Sequence, residues 1–135
     1  MTLSKGNISK LKPNNQDYVN IKKGVKALYN LNSLNHVQSL VIKDNVIITK
    51  ETIKGTKKML QSIDKKKAKG GILIKFPKKG QDLRADLPTI GLDTLKDCKR
   101  NNLKGIVLKS NQNIFLDKKK CINFANINNI FIIII

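Results

Sequence analysis

Tryptophan is absent from this chain, and all aromatic residues together make up 4% of it. A core without large rings must be aliphatic, here mostly Ile, Leu and Val. A surface without them offers few platforms for stacking bases. Arginine is almost missing as well: of 27 basic residues, only Arg84 and Arg100 are arginines. Arginine is the usual bidentate reader of guanine, a job lysine does poorly. The net charge of +18 would by itself suggest a nucleic-acid partner. The shortage of arginine and rings speaks against nucleic acid. Lys, Asn and Ile are all inflated, as compositional drift would make them. Attraction to a phosphorylated substrate or an anionic membrane surface is the remaining reading of the charge.

Other absences narrow the chemistry. Cys98 and Cys121 have neither C-x-x-C nor Cys/His spacing, which argues against a cysteine metal site and for reduced, partly buried thiols. His36 is the single histidine and reads as a structural or surface residue. No Ser/His/Asp arrangement, P-loop or internal repeat stands out. Met1 to Asn20 has no apolar centre of the signal-peptide kind. The longest apolar run, Ile130 to Ile135, falls far short of the roughly 20 residues needed to cross a bilayer.

What remains is the pattern of one α/β domain, of a size that buries roughly two-thirds of its unfolded surface. Residues 1–15 are polar, contain Gly6 and Pro13, and read as a lead-in loop; residues 16–135 form the domain. Apolar residues from Val19 to Leu31 predict a helix over about 17–32, with Asp17 as its cap. Val37–Lys43 and Asn45–Thr49 are rich in β-branched residues and predict a hairpin turning near Asp44. A helix is expected from Gly55 and Thr56 to about Ile63, with Thr56 as cap. Asp64–Gly71 reads as a lysine-rich solvated connector, and residues 71–76 as a buried strand. Then follow a helix at 93–101, strands at 105–108 and 113–116, a helix at 117–126 capped by Asp117, and a terminal strand at 130–135. This order predicts a mixed sheet flanked by helices.

The most informative stretch is residues 78–91, Lys-Lys-Gly-Gln-Asp-Leu-Arg-Ala-Asp-Leu-Pro-Thr-Ile-Gly. Asp82 and Asp86 stand four apart around Arg84, in a chain with only nine acidic residues. Gly80 and Gly91 free the backbone where Pro88 fixes it. A charged, Gly-bounded loop directly after an apolar strand is a plausible place for chemistry.

Residues 80–91 resemble the signature of the LpxI-type UDP-2,3-diacylglucosamine pyrophosphatases, in the C-terminal domain of those two-domain enzymes. Thr2-Leu3, Gly6 and Pro13, Gln38-Ser39, Glu51, Gly55-Thr56, Lys75 with Pro77-Lys78, and Gly105-Ile106-Val107 match in the same order. The resemblance covers nearly the whole chain but only about the second half of the family's usual length. It implies hydrolysis of UDP-2,3-diacylglucosamine to UMP and 2,3-diacylglucosamine 1-phosphate, a step of lipid A biosynthesis. It places the family's catalytic carboxylate on Asp86.

Such chemistry needs neutralised charge and an oriented water. Mg²⁺ is the expected cofactor, with Asp86, Asp82 and Glu51 as candidate ligands. Candidate phosphate- and substrate-binding residues are Lys75, Arg84, Gln81, Thr89, Gln38 and Thr56. The expected place of work is the cytoplasmic face of the inner membrane, with an anionic membrane surface as partner and the family's N-terminal domain missing or supplied by another chain. The pattern breaks where Lys54, Lys57 and Lys109 replace acidic residues. A non-catalytic anionic-ligand-binding domain, or a truncated inactive fragment, is the alternative.

Overall fold

The computed structural model describes residues 6–35, 37–76, 89–110 and 114–135. A six-stranded mixed sheet runs in the order β1 (Gly6–Asn7), β8 (Phe131–Ile134), β6 (Gly105–Leu108), β4 (Ile72–Lys75), β2 (Ser39–Lys43), β3 (Val46–Lys50). The central strands β4, β6 and β8 are parallel; β2, β3 and β1 pair antiparallel at the two sides. A separate parallel pair joins β5 (Thr89–Ile90) to β7 (Ile114–Phe115).

Side chains alternate across the sheet, and the alternation sorts the apolar residues into two layers. Leu40, Ile42, Ile72, Ile74, Val107, Phe131 and Ile133 face helix α1 (Asn15–Asn35), where Ile21 and Leu28 meet them. Val41, Leu73, Ile106, Leu108, Ile132 and Ile134 face the other way. There they pack under α2 (Gly55–Ser62), α3 (Lys65–Ala68), α4 (Leu92–Arg100) and α5 (Lys118–Ile127). Strands buried on both faces explain why 71–76 and 105–108 read as unbroken apolar runs. Gly105 is dictated by its neighbour: a Cβ there would stand 2.3 Å from the Phe131 ring, its register partner on β8.

The helix, hairpin and strand assignments hold, and several local readings change. Helix α1 begins at Asn15, and Asp17 belongs to a reciprocal cap rather than being the cap itself. Asn14 Oδ1 accepts from the Asp17 N–H, and Asp17 Oδ2 accepts from the Asn14 N–H, each at 2.8 Å. Asp17 also holds Lys104 at 2.8 Å, tying α1 to the approach to β6. Within 64–71, the expected connector contains the short helix α3, capped by Asp64, which accepts from the Lys66 and Lys67 N–H groups. Gly6–Asn7, inside the expected lead-in loop, is an edge strand on β8. Asp117 precedes α5 with φ of 51° and makes no side-chain cap. No helix among the described residues is long and apolar enough to cross a membrane.

Candidate functional site

Glu51 leaves β3 and turns into the protein, where it is 5% exposed. A carboxyl group this deep needs donors in place of its lost water. Three are present. The Gln38 N–H donates to Oε2 at 3.0 Å, the Thr56 hydroxyl donates to Oε1 at 2.5 Å, and the Ser39 hydroxyl reaches Oε1 at 3.5 Å. The Ser39 and Thr56 hydroxyls lie 3.1 Å from each other. The backbone fixes the same corner, since the Glu51 N–H donates to the Ser39 carbonyl at 2.8 Å and the Phe76 N–H to the Gln38 carbonyl at 2.9 Å. The start of β2, the end of β3, the head of α2 and the end of β4 are thus fastened around one carboxylate.

Lys75 ends β4, opposite Ser39 on β2 and level with Leu108 on β6. Burial pushes its ammonium below its ordinary value, and Glu51 chiefly opposes this. The lysine lines a cleft of 240 Å³ with Lys54, Gly55, Thr56 and Lys57 from the head of α2 and Asp93, Thr94 and Asp97 from α4. This is the carboxyl end of parallel strand β4, where open α/β sheets place their ligands. The N-terminal amides of α2 add partial positive charge at the same place. Among the described residues, then, the cleft gathers three lysines and a helix head, an arrangement suited to phosphate oxygens.

Of the sequence candidates, Lys75 and Thr56 line this cleft, while Glu51 accepts from the Thr56 hydroxyl and the Gln38 N–H. Thr56 is not the cap of α2. The helix starts one residue earlier, Lys54 takes the cap position without a side-chain bond, and the Thr56 hydroxyl serves Glu51 instead. Thr89 opens β5. Gln81, Asp82, Arg84 and Asp86 lie outside the described residues, as does His36. Sequence reasoning missed Asp93 and Asp97, whose i, i+4 spacing puts both on one side of α4. Asp97 is 5% exposed and pairs with Arg100. Next to it, burial and then the Asp97 charge push the Cys98 thiol up to about 12, against a smaller downward pull from Lys75.

Fit to a divalent cation can be judged for the described donors. No three His, Cys, Asp or Glu side chains gather among them. Glu51 is already engaged by three donors and Asp97 by Arg100. These residues alone do not make a Mg²⁺ site.

The LpxI C-terminal domain family matches residues 4–133. The chain belongs to this family. It is also 28% identical, over 98% of its length, to a protein of Caulobacter vibrioides named UDP-2,3-diacylglucosamine pyrophosphatase LpxI. The match spans 50% of that relative, so this LpxI-type domain covers about half the length of the protein it resembles.

Proposed function

We propose that this chain carries the hydrolytic site of a UDP-2,3-diacylglucosamine pyrophosphatase, acting as the C-terminal part of a two-domain enzyme at the cytoplasmic face of the inner membrane. The products would be UMP and 2,3-diacylglucosamine 1-phosphate, in lipid A biosynthesis. One observation carries the reading. Lys75, the last residue of β4, lies at the carboxyl-end cleft three residues before the segment 78–91 that bears Arg84 and Asp86.

In this reading Lys75, Lys54 and Lys57 neutralise the diphosphate, and the α2 amides orient its oxygens. Glu51 partly offsets the burial that lowers the Lys75 ammonium. Thr56 and Ser39 hold Glu51 in position for that task. Asp86 is proposed as the catalytic carboxylate, and Arg84 as a planar clamp on phosphate. Gln38, Gln81 and Thr89 complete the proposed substrate contacts. Mg²⁺ stays within the proposal with Asp86 and Asp82 as its candidate ligands, Glu51 being taken up by its three donors; when bound it would withdraw charge from the anhydride.

The test is UMP release from UDP-2,3-diacylglucosamine with Mg²⁺, beside an Asp86→Asn control of equal stability. Release that drops at least a hundredfold in the variant supports the assignment. Equal release by both proteins would remove Asp86 from the catalytic role, and no release by either counts against a working site in this domain alone.

A further inference from the structure

Between β3 and α2 the chain exposes an isoleucine completely. Ile53 is 102% exposed, more than any other large apolar residue described. Single apolar residues on a surface are ordinary, so the surroundings decide what this one means. Ile53 shares a 400 Å³ hollow with Lys50, Lys54 and Lys58, and no acidic residue lines it. All three lysines are exposed, and none pairs with a carboxylate among the described residues. The nearest acid in the chain, Glu51, is turned inward and enclosed by its donors. Ile127, the next most exposed at 80%, differs: its chain neighbours are Asn126 and Asn128.

We propose that Ile53 and its collar of Lys50, Lys54 and Lys58 form the element by which the protein docks on an anionic lipid bilayer. The isoleucine enters the boundary between headgroups and acyl chains, and the ammonium groups meet lipid phosphates. An apolar tip inside an unpaired cationic ring matches such a surface in both charge and depth. A polyanion such as RNA would use the lysines but gain nothing from the isoleucine. Lys54 also lines the cleft that holds Lys75. Docking through this collar therefore brings the cleft mouth to the plane where a diacylated substrate is held; that consequence rests on the proposed function, while the docking does not.

Because the chain has no tryptophan, an Ile53→Trp variant reports on this one position. With vesicles of equal parts phosphatidylglycerol and phosphatidylcholine, its emission should shift to the blue, while that of Ile127→Trp stays put. In co-sedimentation, Ile53→Asn should lower the vesicle partition coefficient about tenfold, in line with losing much of one apolar side chain's burial. Each of Lys50→Gln, Lys54→Gln and Lys58→Gln should lower it about fivefold. The proposal is overturned if Ile53→Asn binds vesicles as the parent does, or if Lys22→Gln and Lys23→Gln on α1 weaken binding as much as the collar variants. Displacement of the vesicles by a single-stranded RNA that binds Ile53→Asn and the parent equally, and more tightly than lipid, also overturns it. Binding is read without substrate, so an inactive Asp86→Asn protein that still docks separates failure of the catalytic reading from failure of this one.

Discussion

Thr56 gives its hydroxyl to Glu51 across 2.5 Å, from the first turn of α2 to the residue that follows β3. The bond joins a helix head to a sheet edge through a buried carboxyl group, so removing the donor leaves that group short of a partner. Thr56→Val keeps the shape and deletes the hydroxyl. It should lower unfolding free energy by about 1–3 kcal/mol, read from urea midpoints. Ser39→Ala, at the longer 3.5 Å contact, should cost less. The double variant should depart from the sum of the two, because both hydroxyls serve one oxygen and each other.

In the proposed function, Lys75 connects that network to ligand binding. Its ammonium is held below the ordinary 10.5 by burial, with Glu51 opposing. Affinity for an anionic ligand such as UDP should therefore begin to fall on the alkaline side at a pH below that of an exposed lysine. Removing the opposing charge in Glu51→Gln should move this limb to still lower pH. Lys75→Arg, charged throughout the range, should flatten the limb, and Lys75→Met should weaken binding at neutral pH by about tenfold or more. Calorimetric titrations across pH would check all three; a limb in Glu51→Gln that moves upward would refute the coupling.

Cys98 gives the fold its own pH dependence. The thiol is raised from 9.0 to about 12 in the folded protein. Above about pH 9 the unfolded chain releases this proton while the folded chain keeps it, so the unfolded state binds fewer protons and stability falls as pH rises. The contribution is complete below pH 9 and is lost progressively toward 12. Cys98→Ala should reduce the fall between pH 8 and pH 10.5, at a cost of stability at pH 7 from lost packing. The slope removed is at most about 1.4 kcal/mol per pH unit. Urea midpoints of the two proteins over that range decide it, and parallel curves would reject the assignment.

Much of this architecture was legible because β-branched runs and helical spacing are local signals. Ile72–Lys75 and Gly105–Leu108 declared themselves as strands, but nothing local says that they lie side by side in parallel. Three lysines in a row at 65–67 read as solvated, yet Asp64 caps a turn of helix that buries Ala68. Thr56 and Asp17 both look like caps from sequence, since a cap is a local affair. Their actual partners include Glu51 and Lys104, and only tertiary structure brings those together. The site shows the same division. Lys75 and Glu51 were each named, but their relation depends on the pairing of Ser39 with Lys75 across β2 and β4. The charged segment that drew most attention in the sequence, with Asp82, Arg84 and Asp86, lies outside the described residues.

Strand β1 pairs through Gly6 with Ile134 and through Asn7 with Ile133. A chain synthesised from its amino end therefore makes β1 long before β8 exists. The hairpin of β2 and β3 can close early, β4 and β6 can join it in turn, and β8 adds last. Only then does residue 6 find its place. Assembly of the sheet should thus be ordered in time from β3 toward β1, with β1 the last to settle.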